Sequence, residues 1–446
     1  MKKPQKPPDS IKFLKDNKEL IFKIIDKTGL TDSKGRYLHW DKIRHLKPPE
    51  GLTNEEWWAG IKLKRTNLYN ELFLKDEHGH PFKFCVTDTI HQDLHWLDMN
   101  AAGTISTNKP VANSNMRSTY LIKSLVEEAI NSSQLEGATT TRKVAKEMMR
   151  QGRSPKDKSE QMILNNYHAM EFIRDYKYEH LTPSIILELH KIVTEGTLDD
   201  QSKAGVLRVK EDNICVVDSS SFDTLHYPPD ASCLEKRLEQ LCAFANGASD
   251  AGFIHPVIRA VTLHFMLSYD HPFVDGNGRS ARALFYWSMI NQGYWLTEFI
   301  SVSRIIKLAP AQYSRAFLYT ETDDNDLTYF IIHQLEVIKK AITDLHDYLE
   351  KKVKDIEYAQ EILRNANGIG KKLNFRQLAL LRHALKHPRF IYKINEHQNS
   401  HGISYETARK DLLYMSDKLK LLTKLKDGRT FIFVSPSDLE DRINMY

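Results

Sequence analysis

Cysteine is scarce in this sequence and never paired. The four, Cys85, Cys215, Cys233 and Cys242, stand apart with no CxxC among them. That argues against a disulfide framework or a structural zinc and fits a reducing, cytoplasmic setting. Long apolar runs are missing too, so neither a membrane-spanning helix nor a membrane partner is expected. The opening MKKPQKPPDS carries lysines with no apolar segment behind them, and it reads as a short disordered tail rather than a secretory signal. Nor is charge of one sign in large excess. Sixty-three Lys/Arg face 58 Asp/Glu, and a net +5 is too mild to imply nucleic-acid binding by itself. What remains, 41% hydrophobic and 27% charged residues over 446 positions, is the composition of a globular protein of two or three domains.

The periodicities are mostly helical. Apolar residues recur at helical spacing over 11–27, with Gly29 beyond the run. Thr53 and Glu56 form a capping box for a helix that carries Trp57 and Trp58, read as packing anchors. Residues 69–86 predict a hairpin turning at Asp76–Pro81. His91 and His95 have the spacing of a zinc-protease helix, but Gln92 stands where that motif needs its glutamate base. Helices follow over 116–150 (with a break near Glu136-Gly137), 159–197, 231–247 and 254–270. The last of these is apolar nearly all round and predicts a buried central helix, with His264 as a core residue. Between them, Ile214-Cys215-Val216-Val217 is a β-branched stretch that ends in Pro228-Pro229 and reads as a hairpin or flap. More helices fill 310–352, and a charged helical linker follows.

The chemistry is concentrated in His271–Arg282, HPFVDGNGRSAR. Gly276 and Gly278 allow a sharp turn and a close approach of backbone to ligand. The residues after them predict a helix running to Gly293, whose free N–H groups and positive dipole end favour phosphate. Arg279 and Arg282 lie three apart, so on one helix face they can grip phosphate oxygens. Asp275 is a hard oxygen ligand suited to a Mg²⁺ that rides on phosphates. His271 is the one side chain here that ordinarily titrates near neutrality, which suits a general base.

This stretch resembles the Fic family, whose motif HPFx[D/E]GNGRxxR it matches at every specified position. The resemblance implies transfer of AMP from ATP to a Ser, Thr or Tyr hydroxyl of a target protein, the enzyme itself included. His271 would be the catalytic base and Asp275 the Mg²⁺ ligand. Gly276, Asn277, Gly278, Arg279 and Arg282 would bind the nucleotide, with the Asn277 side chain on the α-phosphate. Ser132, Glu136 and Gly137 resemble the family's inhibitory signature, [S/T]xxxE[G/N]. They imply that Glu136 pairs with Arg282 and blocks the productive pose of ATP. The stretch Ile214–Val217 sits where the family carries its target-docking flap, between Gly205-xx-Arg208 and a Pro-Pro pair. Self-association stays open, as does removal of AMP from modified proteins.

The C-terminal block differs in charge. Between Lys371 and Arg429, fourteen Lys/Arg against five Asp/Glu leave +9. Helices are expected over 374–387, 390–397 and from Tyr405, then a hairpin at Asp427-Gly428. That order is similar to a winged helix-turn-helix, and Lys393, Arg409, Lys410, Lys424, Lys426 and Arg429 could meet the phosphates of DNA. A protein-docking use of this block and a nucleotide-sensing transcription regulator are the rival readings. The expected architecture is mainly α: an N-terminal region with a hairpin over 1–110, a Fic-type helical core with a flap over 111–345, a helical linker over 346–370 and a winged helix over 371–446.

Overall fold

The computed structural model describes residues 3–102, 114–218, 222–249, 252–365, 372–427 and 430–445. The protein is 62% helix and 7% strand, and it divides into two compact units, Met1–Leu345 and His346–Tyr446.

The first unit opens with α1 (Ser10–Asp16), α2 (Ile21–Lys27), α3 (Trp40–Ile43) and α4 (Asn54–Thr66). The single helix expected over 11–27 is broken at Asn17, whose side chain bonds back to the Phe13 carbonyl at 2.8 Å. The first residues are also no loose tail: Pro4 is buried and the Gln5 N–H donates to Asp41 at 3.0 Å. α4 starts on the expected Thr53/Glu56 capping box and buries Trp57 and Trp58. Strands β1 (Asn70–Lys75) and β2 (Pro81–Phe84) form the hairpin. Phe82 plugs it into the helical core against Phe265 and Tyr269, with ring centroids 5.4 and 5.1 Å apart. A buried charge cluster fastens the same block. Lys62 donates to Asp323 at 2.8 Å, Arg65 to the Tyr329 hydroxyl at 2.7 Å, and Tyr37 to Asp326. Residues 1–110 thus belong to the same unit as the motif.

The helical core comprises α5 (Asp88–Leu97), α6 (Ser114–Leu135), α7 (Arg142–Gln151), α8 (Lys158–Asp175), α9 (Pro183–Thr194), α10 (Leu234–Ala245), α11 (Pro256–Asp270), α12 (Asn277–Asn291), α13 (Val302–Leu308), α14 (Pro310–Thr322) and α15 (Thr328–Asn365). α11 and α12 are buried along nearly their whole length. This explains the absence of a polar stripe on α11. Strands β3 (Val216–Val217) and β4 (Thr224–His226) make a small separate hairpin.

The second unit contains α16 (Phe375–Lys386), β5 (Ile391–Lys393), α17 (Ile394–His401), α18 (Tyr405–Leu413), β6 (Thr423–Asp427), β7 (Thr430–Val434) and α19 (Leu439–Asn444). The helix expected over 390–397 begins instead as strand β5, and the sheet has three antiparallel strands in the order β5-β7-β6. Alternation explains the difference: Tyr392 is buried while Ile391 and Lys393 are exposed, a period of two.

Candidate active site

His271 caps α11 in the left-handed conformation, φ 45°, and Pro272 cannot continue the helix. This strained position is gripped from outside. Arg208 donates from Nε to the His271 carbonyl at 2.8 Å and from its backbone N–H to the Pro272 carbonyl at 2.9 Å, and its guanidinium also reaches the Pro229 carbonyl. The His271 Nδ1 lies 3.3 Å from the Ser268 carbonyl. A carbonyl only accepts, so Nδ1 carries the hydrogen and Nε2 keeps its lone pair. Burial pushes the imidazole down to about 4. It is therefore neutral at physiological pH, the state in which it can take a proton.

Gly276 is the N-cap of α12 at φ 81°, and a side chain there would run into Thr194 and His190. Gly278 is needed for a different reason. A Cβ on it would lie 2.1 Å from the Glu136 carboxylate, so that carboxylate rests on the bare backbone of the first turn. An anion at a helix N-terminus is where the dipole and the free N–H groups hold it best.

Glu136 is held there by Arg282, whose Nη2 donates to it at 2.7 Å. The same guanidinium donates to the Ser132 hydroxyl at 2.9 Å and the Ser132 carbonyl at 3.1 Å. Ser132 and Glu136 thus take one arginine between them, as their four-residue spacing allows. Gly137 follows at φ 93° and turns the chain away.

Arg279 and Asn277 both find partners within the protein, where Arg279 lies beside Val193 and Asp275 rather than beside Ser132. Arg279 is three positions before Arg282 on α12. It is wholly buried and donates to the Val193 carbonyl at 2.9 Å and toward Asp275 at 3.4 Å. Asn277, expected on a phosphate, turns inward: its amide donates to the Phe273 carbonyl at 2.8 Å and accepts the Phe273 N–H at 3.0 Å. The turn needs that clasp because Pro272 and the glycines leave it few bonds of its own.

Sequence reading passed over two supports of the motif. His190 on α9 stacks flat on Phe273, with centroids 3.7 Å apart, donates from Nε2 to the Asp275 carbonyl at 2.8 Å and accepts the Gly205 N–H at Nδ1. Burial pushes it down to about 4, which suits this one-donor, one-acceptor role. Tyr313 on α14 is pushed up to about 12 by burial, next to Arg282 and Glu136. Its hydroxyl bonds Nε2 of His264, itself pushed down to about 3 by burial. A lone His or Tyr on a helix carries no signal that separates these from ordinary core residues.

Among the described residues of the flap, Val216 pairs with His226 and Val217 with Thr224. Ile214 and Cys215 form a half-buried lead-in outside the strand. Continuing the ladder would set Cys215 against Tyr227 and Ile214 against Pro228, which has no N–H to offer. The root of β4 is tied down by His226, which donates to the Tyr269 carbonyl at 2.7 Å and lies 2.8 Å from Glu321. Val217, Phe222 and Tyr227 are exposed, Phe222 by 81%.

In the second unit Lys393, Arg409, Lys410, Lys424 and Lys426 are all exposed, and Arg429 lies outside the described residues. Strand register divides them. Lys424 pairs with Phe433 and Lys426 with Phe431, on the sheet face that buries Phe433. Lys393 pairs with Ile432 on the opposite face, so it does not share a surface with the other two.

Asp275 is the one acid of the motif, and its side chain is 51% exposed. Among the described residues no group of three His, Cys, Asp or Glu side chains forms a metal cage. A single open carboxylate fits Mg²⁺ bound mainly through substrate phosphates. Among the described residues, no helix is long and apolar enough to cross a membrane.

The fold and the site define a helical domain that offers a glycine-turn helix N-terminus and a neutral histidine to one anionic ligand. The Fic/DOC family profile matches residues 180–289. The chain is 31% identical over 137 residues to the protein adenylyltransferase Fic of Nematostella vectensis, covering 30% of this chain and 29% of that one. Its likeness to the protein of the same name from Drosophila virilis is 38% over 72 residues, or 16% and 14% of the two chains. The matches thus span less than a third of these relatives. Among solved structures, a Fic family protein from Desulfovibrio desulfuricans G20 aligns at a TM-score of 0.49 and 16% identity, over 78% of this chain and 95% of that chain.

Proposed function

We propose that this protein transfers AMP from ATP to a Ser, Thr or Tyr hydroxyl of a target protein and that Glu136 holds it in check. The relatives' names support the choice of reaction. The observation that carries the regulated form is the Glu136 carboxylate, which sits on Gly278 and takes the Arg282 guanidinium. In this reading it stands in for phosphate oxygens in the cradle.

When Glu136 leaves, Arg282 is freed for the terminal phosphates and the α12 N-terminus for the others. His271 Nε2 takes the hydroxyl proton as that oxygen attacks the α-phosphorus. The bond to the β-phosphate oxygen breaks and pyrophosphate departs. Asp275, braced by Arg279, would hold Mg²⁺, which supplies positive charge to the phosphates. Val216 and Val217 offer main-chain groups to an extended target segment, which tolerates varied target sequences. Catalysis here is positioning and charge stabilisation. Wild type and Glu136→Gly, incubated with α-labelled ATP and Mg²⁺, test the reading. Label on protein is expected to rise in the variant and to vanish when His271→Ala is added. No label in either, with nucleotide still bound, would favour nucleotide sensing or AMP removal instead.

A separate observation supports a role for the second unit. Arg409 and Lys410 on α18, with Lys424 and Lys426 on β6, are exposed in a segment of charge +9. We read this unit as a winged helix that binds the phosphate backbone of duplex DNA. Fluorescence anisotropy with a labelled duplex over a salt series tests it, and salt-independent or absent binding would remove the reading.

A further inference from the structure

Helix α6 carries a polar side chain every fourth residue on the face that leads to the motif: Ser124, Glu128 and Ser132, with Glu136 just past its end. Each has a partner on another element. Ser124 donates to the Phe299 carbonyl at 2.7 Å. Glu128 accepts from the Ser301 hydroxyl at 2.7 Å, the Ser303 N–H at 3.2 Å and the Ser303 hydroxyl. Ser132 and Glu136 take Arg282. Gln134, midway between Ser132 and Glu136 in sequence, is reached by Lys307 of α13. Glu128 stands out among them. It is 1% exposed, and both its oxygens are bonded to the start of α13, where Ser301 is the N-cap. A buried carboxylate is stable only with such partners.

We propose that Glu128 is the positioning residue of the inhibitory segment: its bonds to Ser301 and Ser303 fix the axial placement of α6 and so set the Glu136 carboxylate on Gly278. The geometry requires axial precision. The carboxylate touches the helix backbone at a distance only glycine permits, so a slide or tilt of α6 by a fraction of a turn withdraws it. The other ties of α6 do not fix this coordinate so firmly. Glu127 pairs with Arg142 and Lys146 of the neighbouring α7, and the Arg142 side chain is 62% exposed. The Ser133 hydroxyl makes a single bond to the Met162 carbonyl at 3.0 Å. The α13 segment that receives Glu128 thereby becomes the place where a signal could reach the brake.

The proposal rests on Glu136 being the brake, and the variants separate the two ideas. Glu128→Gln keeps the shape and removes the charge. It is expected to raise auto-labelling from α-labelled ATP roughly ten-fold, the weight of one charge-assisted hydrogen bond, and less than Glu136→Gly does. Ser303→Ala removes partners from the other side and is expected to act in the same direction. The decisive readout is the double variant Glu128→Gln/Glu136→Gly, which should match Glu136→Gly alone. A further rise, or a loss, in the double variant would show that Glu128 acts elsewhere and would overturn the proposal. Label that rises in Glu136→Gly but in neither Glu128→Gln nor Ser303→Ala would overturn it while leaving the brake intact. If Glu136→Gly gives no label, the transfer reading fails. The seam is then judged by hydrogen exchange over 124–136: faster exchange in Glu128→Gln supports it and unchanged exchange overturns it.

Discussion

The two units handle charge in opposite ways. The first buries it and commits it: Lys62 to Asp323, Arg65 to Tyr329, Arg279 to Val193, Arg282 to Ser132 and Glu136, and Glu128 to Ser301 and Ser303. Among its described residues the second keeps most of its charged side chains on the surface, with the Asp411 carboxylate as an exception, buried in a cluster with Arg376, Asn374 and His397. A buried charge must find partners in fixed positions, because leaving it alone costs several kcal/mol. It therefore specifies geometry and responds sharply to a substitution. An exposed charge is screened by salt and specifies little. It suits a long polyanion whose charge counts for more than its shape.

That contrast can be broken from either side. The largest effect belongs to His271→Ala, which should lower transfer about 10²–10⁴-fold in single-turnover labelling while leaving nucleotide affinity near wild type. Retained transfer would remove His271 as the base. Next, Lys62→Met should cost about 3–5 kcal/mol in urea unfolding, because Asp323 is left buried without its counter-charge. A loss below about 1 kcal/mol, the worth of a surface pair, would mean the cluster is solvated. In the second unit, Arg409, Lys410, Lys424 and Lys426 changed together to alanine should leave folding unaltered. The salt slope of duplex binding should flatten by about 0.9 for each of these side chains that neutralises a phosphate. The same slope for wild type and variant would place the DNA on another face, and Lys393→Ala should change it least.

The smallest effect is one of pH. His226 donates to the Tyr269 carbonyl and meets the Glu321 carboxylate, so both ring nitrogens carry hydrogen. Burial opposes the charge, but Glu321 outweighs it and holds the pKa above the ordinary 6.5. A raised folded pKa gives stability that is fully present below 6.5 and lost as pH rises through the folded value. The Tm advantage of wild type over Glu321→Gln should therefore shrink from pH 6 to pH 9. A constant gap would mean the pair is not ionic. Groups near His226 that share this titration range include His271, but burial pushes that one down to about 4, so it stays neutral across the window.

How much was legible follows the same line. The motif could be read because its chemistry lies in twelve consecutive residues and local geometry fixes what they can do. Ser132 and Glu136 were readable as a pair, since helix periodicity puts them on one face. The intramolecular partners of Arg279 and Asn277 were not legible, because both have a local option, a phosphate above the turn, and a tertiary one. In the structure they bond the Val193 carbonyl and the Phe273 backbone. Ser124 and Glu128 stood in plain register with Ser132, yet their spacing means nothing until α13 arrives opposite them. The strand at Ile391–Lys393 was missed because three residues cannot display a period convincingly.

By itself the sequence determined the helical class, the glycine turn that opens α12 and its preference for an anion, the histidine beside it and the +9 charge of residues 371–429. These depend on composition, periodicity and contacts between near neighbours. Only the tertiary structure decided which carboxylate lies on the turn, which other residues share its arginine and which residues of α13 meet α6. The residues concerned lie up to 175 positions apart, and no local rule constrains a contact across that distance. It exists because two helices pack, and packing is settled by the whole core at once.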